Sequence, residues 1–424
     1  MKYQELLDYI YQRHSGNIKL GLDRMVTILE AMNKPNQSLR GMHVAGTNGK
    51  GSTCAMLEAM ALAHGHSTGL NTSPHLVDYR ERIRIDGTNI TLEKLVELYK
   101  EWQEVFEENE ASFFEITTAM AFRHFVDNAV DTAIFEVGLG GRLDGTNPFD
   151  STVTTITSIG YDHTKSLGDT IEKIAAEKAG IIKPNRPVIV GDIPETALEV
   201  IAQVASSNNC RLVHYGRDFG AGNVELTEQG TRFTYYDEHD QQDFTVNLLG
   251  RHQAHNAAVA VATFKLYMRA IGEELDWQKV ATALQHVNWP GRMQIIRTQP
   301  TVLIDGAHNE EGITALTQNL RAIFPDKRIL FVLAILRDKN LDSIIEMICN
   351  TADQLYISKN HSTRAAEIED QAAIAARFST PYQTIDDVVD ATRQAIADAQ
   401  QEDLVVISGS LYTISEVIKV ADTL

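Results

Sequence analysis

The chain has 424 residues, with 38 Lys or Arg against 57 Asp or Glu, a formal charge of −19. Such a surface repels nucleic acid and anionic membranes, so an anionic ligand must be held by a local cluster of positive groups. The length exceeds one typical core, and two domains are expected. Cys54, Cys210 and Cys349 are too widely spaced for a disulfide framework or a zinc site. The amphipathic start Tyr3–Tyr11 lacks a signal-peptide pattern, and no apolar stretch is long enough to span a bilayer. A monomeric cytoplasmic protein is expected, with no nucleic-acid or membrane partner.

The apolar run Met42–Ala45 reads as a short buried strand, and Ser52–Ala63 as a helix. Between them lies Gly46-Thr47-Asn48-Gly49-Lys50-Gly51-Ser52. Glycine N–H groups and a helix N-terminus at such a junction face an anion, Lys50 reaches outer phosphates, and Ser52 can hold Mg²⁺. The usual phosphate-loop spacing is not met, because Val44 stands where the first glycine is expected and Gly51 separates Lys50 from Ser52. A lysine flanked by glycines and followed by a hydroxyl residue is nevertheless an odd choice for a mere turn.

Glu136 closes the run Thr132–Val137 ahead of the turn Gly138-Leu139-Gly140-Gly141-Arg142-Leu143-Asp144. Ligands of open α/β sheets collect at the carboxyl ends of strands, and a carboxylate there suits a hard cation. Asp162-His163 follows the run Val153–Ser158 in the same way. In the helix Thr170–Ala179, three-and-four spacing puts Ile171, Ile174, Ala175 and Lys178 on one face. An inward lysine is costly without a partner; spacing alone favours a snorkelling lysine that caps carbonyls. The run Pro187–Val190 is a further strand.

From Arg211 to Leu249, segments such as Arg211–Tyr215, Asn223–Leu226 and Arg232–Tyr236 alternate with turns, suggesting a small antiparallel excursion. The stretch Trp289-Pro290-Gly291-Arg292, followed by Pro300, reads as a hinge. The domains are therefore set at 1–295 and 296–424. Arg292 fits a phosphate contact and a surface ion pair equally well. Beyond the hinge, Val302–Ile304, Ile329–Leu333, Gln354–Ile357 and Leu404–Ile407 read as strands and Ile385–Ala399 as a helix. Asp305-Gly306-Ala307-His308-Asn309 again sits at a strand end. The alternation throughout predicts an α/β protein with largely parallel sheets, which with the phosphate-gripping loop reads as a P-loop-type nucleotide-binding domain followed by a Rossmann-like α/β domain.

Taken in order, Gly46–Ser52, Thr72-Ser73-Pro74-His75, Glu81-Arg82-Ile83, Glu136–Asn147, Asp162-His163, Glu177-Lys178-Ala179-Gly180, Pro290-Gly291-Arg292, Asp305–Asn309 and Ser408-Gly409-Ser410 span nearly the whole chain. Together they resemble the folylpolyglutamate synthase and dihydrofolate synthase family of the Mur-ligase superfamily. The resemblance implies an ATP-dependent ligase. ATP phosphorylates a folate carboxylate, and L-glutamate attacks the acyl phosphate. It implies that Gly46, Thr47, Asn48, Gly49, Lys50, Gly51 and Ser52 hold ATP, with Asn256, Arg292 and Asp305 also contacting it and His308 beside the transferred phosphate. Ser52, Ser73, Glu136 and His163 are implied as ligands at two Mg²⁺ sites, and Lys178 as a carbamylated lysine near the second. Arg82, Asp144 and Ser410 are implied on the substrate side. The segment Gly250–Asn256 departs from the superfamily's tighter pattern, which makes the Asn256 match looser. Gly141-Arg142-Leu143-Asp144 resembles the bifunctional bacterial members, whose Asp contacts pteroate. A reduced folate is thus the expected acceptor, with dihydropteroate as a second one. The rival classes are a Mur-type ligase of cell-wall precursors and a non-catalytic nucleotide switch.

Overall fold

The computed structural model describes residues 3–13 and 21–424. Eight strands form its first sheet: β1 Gly41–Ala45, β2 Thr68–Asn71, β3 Ile83–Ile85, β4 Thr88–Asn89, β5 Thr132–Glu136, β6 Val153–Ile156, β7 Val188–Val190 and β8 Leu212–His214. Their spatial order is β4-β3-β2-β5-β1-β6-β7-β8. Pairing is parallel from β2 to β8, and β3 and β4 add an antiparallel edge. Strands β1 and β5 are buried at every position, as expected of central parallel strands covered on both faces. Phe122, Phe125, Phe135 and Phe149 centre one apolar cluster; Ile156, Ile174, Val188, Val190 and Ile201 centre another.

Strands β9 Phe219–Thr227, β10 Gly230–Asp237 and β11 Gln241–Val246 make a separate sheet in the order β11-β10-β9. Only Glu228 and Gln229 link β9 to β10, a connection that permits antiparallel pairing alone. This is the expected excursion, but it begins later than the sequence suggested. The segment Arg211–Tyr215 belongs elsewhere: β8 pairs in parallel with β7 at the edge of the first sheet. Its local alternation is the same in either sheet, so the pattern did not reveal its partner.

The last sheet contains β12 Gln294–Thr298, β13 Thr301–Ile304, β14 Ile329–Leu333, β15 Gln354–Lys359, β16 Tyr382–Asp387 and β17 Leu404–Ser408, ordered β12-β13-β17-β14-β15-β16. Only β12 runs antiparallel to its neighbour. The helix expected over Ile385–Ala399 is shorter, Val388–Asp398, because Asp387 caps it and ends the edge strand β16. The Asp387 side chain accepts from Val389 N and Asp390 N, satisfying the first free N–H groups of the helix.

By compactness the chain divides into two units. One takes the chain up to Asn223 with Phe233–Thr245 and Ala254–Val287; the other takes Val224–Arg232, Val246–Gln253 and Asn288–Leu424. The main break therefore lies at Val287, ahead of the boundary expected near residue 295, and the hinge stretch goes with the second unit. Among the described residues, no helix is long and apolar enough to cross a membrane.

Candidate active site

In the first unit, residues 46–49 join β1 to the helix Lys50–Ala63. The helix has Gly49 at its N-cap, with φ of 84° and no side-chain cap, so its first N–H groups are left to the loop's own surroundings. A Cβ at Gly49 would lie 2.4 Å from Asn256 Oδ1, so only glycine fits there while Asn256 presses on the loop. The chain beyond β6 clamps the loop from the other side. Asn48 N donates to Ser158 Oγ (2.8 Å), Thr157 Oγ1 donates to Asn48 O (2.6 Å), and Thr47 Oγ1 donates to Gly160 O (3.2 Å).

Two lysines converge on this loop. Lys50 Nζ donates to Gly46 O at 3.0 Å and Thr47 O at 3.1 Å. Lys178 Nζ donates to the same Gly46 O at 2.9 Å. Lys178 is 4% exposed and lies on the helix Ile171–Ala179, capped by Thr170. It faces inward, as the spacing required, and reaches the loop after β1 instead of capping its own helix. Two lysine nitrogens thus meet at one carbonyl oxygen.

Register places Glu136 beside Val44, level with the end of β1. Its Oε2 accepts from Ser73 N at 2.9 Å, so two of the expected metal ligands are neighbours. The Cys54 thiol, one turn into the loop helix, is pushed up by burial and by Glu136 and drawn down by Lys50. One thiol therefore senses both groups. His163 follows β6 in a left-handed conformation, with φ of 50° and its side chain 44% exposed beside Asp162. Ser52 is buried in the first turn of the loop helix.

After Glu136 the chain folds back over the helix Ile171–Ala179. Arg142 N donates to Glu177 O at 2.7 Å. Asp144 is buried, its Oδ1 accepting from Thr146 N (3.0 Å) and Thr146 Oγ1 (2.5 Å) and its Oδ2 from Leu139 N (2.8 Å). Burial pushes its carboxyl up, and these donors oppose that. Arg82 is also buried, with Nε donating to His75 Nδ1 at 2.7 Å and its guanidinium 4.9 Å from the Phe113 ring centre.

The second unit assembles its own cluster where β13 ends. Asp305 accepts from Met293 N through Oδ2 and from Ala307 N through Oδ1, both at 2.8 Å. Burial raises its carboxyl, while Arg292 and the two backbone donors pull it down. A Cβ at Gly306 would sit 2.4 Å from Arg292 Nη1, so the missing side chain is what lets the guanidinium approach. His308 Nδ1 lies 2.9 Å from Gly306 O and carries a proton, because a carbonyl only accepts. Arg292, Asp305 and His308 are thus brought together. Ser410, implied on the substrate side, is buried. It is 1% exposed and caps the helix Leu411–Ile418, its hydroxyl taken by Thr413 and Asn360.

Sequence reasoning passed over Thr157 and Ser158, which clamp the loop, and Asn360, which holds Ser410. Nothing in their type or spacing distinguishes them from ordinary strand-end polar residues. Among the described residues, one group of three His, Cys, Asp or Glu side chains could meet at a metal: His361, Asp387 and Glu416. None of these was expected as a ligand.

Residues 44–264 match the Mur ligase middle domain, and 291–411 the Mur ligase glutamate ligase domain. The dihydrofolate synthase/folylpolyglutamate synthase of Bacillus subtilis (strain 168) is 33% identical over 425 residues, 98% of each chain. Among solved structures, Mycobacterium tuberculosis folylpolyglutamate synthase complexed with ADP superposes with a TM-score of 0.92. It is 31% identical over 99% of this chain and 98% of that one. E. coli FolC in complex with DHPP and ADP gives a TM-score of 0.89 at 32% identity, over 100% of this chain and 98% of that one. With both Mur-ligase domains matched and full-length likeness to these enzymes, the chain belongs to the folylpolyglutamate synthase/dihydrofolate synthase family of ATP-dependent ligases.

Proposed function

We propose that this ligase joins L-glutamate to a reduced folate, lengthening its glutamyl tail, and that dihydropteroate is a second acceptor. An acceptor carboxylate oxygen attacks the γ-phosphorus of ATP and ADP leaves. The glutamate amine then attacks the acyl carbon, phosphate leaves, and the nitrogen loses its proton to give an amide. The observation that carries this reading is Lys50 folded over the loop at the end of β1, donating to Gly46 O and Thr47 O, with Glu136 at the end of the neighbouring strand. A preorganised cation of this kind stabilises the charge that develops as a phosphoryl group passes between two anions.

In this reading residues 46–52 and Lys50 grip the ATP phosphates, and Asn256, Arg292 and Asp305 contact the nucleotide. His308 lies by the transferred phosphate, its protonated Nδ1 already committed to Gly306 O. Arg82 and Asp144 serve the acceptor. Ser410, the cap of the helix Leu411–Ile418, serves the substrate side through the turn it holds. Ser52, Ser73, Glu136 and His163 would hold two Mg²⁺ ions. The Glu136 carboxylate, held beside Ser73 by its backbone N–H, fits a cation that takes few protein ligands and completes its shell with water and phosphate. Mg²⁺, when bound, supplies charge neutralisation on the phosphates. Lys178 as a carbamate would keep one N–H for Gly46 O while presenting anionic oxygens. The protein works as a cytoplasmic monomer.

ADP release across a panel of acceptors, each with and without L-glutamate, tests the proposal. ADP is expected only when a folate or pteroate acceptor and L-glutamate are both present. Turnover with a UDP-linked muramyl acceptor, and none with folates, would overturn it.

A further inference from the structure

The loop that begins after Glu136 is pinned from beneath by a buried imidazole that no step above uses. His43 lies in the middle of β1, fully buried, and its Nε2 is 2.8 Å from Thr146 Oγ1. Thr146 Oγ1 is in turn 2.5 Å from Asp144 Oδ1. Three backbone N–H groups, those of Gly138, Leu139 and Thr146, also turn toward the Asp144 carboxylate. An acceptor surrounded by donors holds the anion, and 2.5 Å is the length of a charge-assisted O–H···O⁻ bond. The threonine proton therefore points at Asp144, and the remaining lone pair of Oγ1 must receive a hydrogen from His43 Nε2. That fixes the tautomer: Nε2 is protonated and Nδ1 is bare. The other ring nitrogen agrees, since Nδ1 is buried with no hydrogen-bond partner. A lone pair left without a donor is tolerated there more easily than an N–H or a charge left without an acceptor. Burial and the nearby Lys183 both hold the ring neutral.

We propose that His43 is a positioning residue for the acceptor: through Thr146 it orients the Asp144 carboxylate and so sets the shape of the loop Gly138–Asn147. A second pin secures the far end, where Lys183 Nζ donates to Asn147 O (2.6 Å) and Oδ1 (2.9 Å). The imidazole acts at a distance through one hydroxyl and never meets substrate. The proposal rests on Asp144 serving the acceptor, and the experiment separates the two.

Steady-state kinetics with acceptor and ATP varied in turn would compare His43→Leu, His43→Gln, Thr146→Val and Asp144→Asn. Losing one buried hydrogen bond should raise the acceptor KM about tenfold in His43→Leu and leave the ATP KM within about twofold. His43→Gln keeps an N–H donor and should recover most of that loss. If His43→Leu does not fold, Thr146→Val breaks the same chain with almost no change of volume and should give the same acceptor-specific effect. An unchanged acceptor KM in a folded His43→Leu or Thr146→Val variant, while Asp144→Asn raises it, overturns this inference and leaves the reading of Asp144 standing. If Asp144→Asn itself spares the acceptor KM, the reading of Asp144 fails and the inference with it. Nitrogen NMR of the imidazole gives an answer independent of activity: Nε2–H with bare Nδ1, unchanged between about pH 5 and 9, is expected. An Nδ1–H tautomer, or titration near the ordinary histidine value, overturns the assignment.

Discussion

At the end of β1 two lysines donate to one carbonyl oxygen, Gly46 O, whereas at the end of β13 one carboxylate, Asp305, receives two backbone N–H groups. Both places are strand termini of mainly parallel sheets, and both use a glycine to admit a neighbour, Asn256 at Gly49 and Arg292 at Gly306. They differ in what they leave unsettled. At the first, Lys50 is held by the loop carbonyls of Gly46 and Thr47, and in the proposed reading a bound phosphate supplies its anionic partner. The second site balances its own charge, Asp305 against Arg292 and His308. In the proposed reading the first region grips the phosphates, while the second holds Arg292, Asp305 and His308 in a fixed arrangement at the nucleotide.

Charge removal should therefore be far more damaging in the first region. Lys50→Ala should lower turnover by about a thousandfold or more, with circular dichroism unchanged, since Lys50 reaches loop carbonyls and no core. Turnover within about tenfold of the parent, in a folded variant, would erase the distinction between the two strand ends.

Lys178→Ala sharpens the same contrast. If Lys178 carries a carbamate beside the second metal, its loss should cost about a hundredfold, and short carboxylic acids should restore part of the rate by filling the vacated anion position. If the amine acts as a cation, small amines rescue and acids do not. Rates measured under bicarbonate with added acetate or ethylamine decide between them.

Much of the first region was legible because its signals are local. The glycines around Lys50, the carboxylate closing a buried run at Glu136 and the inward stripe of Lys178 all follow from spacing within a single element. What escaped depends on partners distant in sequence. Arg211–Tyr215 has the alternation of an edge strand whichever sheet it joins, and only its pairing with β7 decides. Strand β16 buries no face fully, so it lacks the apolar period that marks a strand and was absorbed into the following helix. Ser410 entered only through the resemblance; its local cap to Thr413 N and its distant partner Asn360, which follows another strand, were not read.

In the second region Asp305→Asn should act mainly on stability. An amide cannot accept from both Met293 N and Ala307 N, so one buried N–H would face an NH₂ group. A cost of about 1–3 kcal/mol is expected from urea unfolding. A loss of activity as large as that of Lys50→Ala, without loss of stability, would move Asp305 from shaping to direct chemistry.

The smallest effect is expected at the rim of the last sheet, where His361 sits with its side chain 77% exposed. Its Nδ1 is 2.8 Å from Glu416 Oε2, and its Nε2 is 3.6 Å from Asp387 Oδ2. The hydrogen bond and charge of Glu416, then the charge of Asp387, raise the imidazole above its ordinary value of 6.5. A group whose folded value is raised binds its proton more tightly when folded. The stabilisation is therefore complete below the ordinary value and fades as pH rises through the folded one. Solvent screening limits such an exposed pair to a few tenths of a kcal/mol. His361→Gln should thus cost a few tenths of a kcal/mol at about pH 5.5 and nothing measurable at about pH 9. Urea unfolding at both values checks this. A difference that does not change with pH, or grows on the alkaline side, would show that His361 acts by packing and not by charge, and the rim would then resemble the buried strand ends.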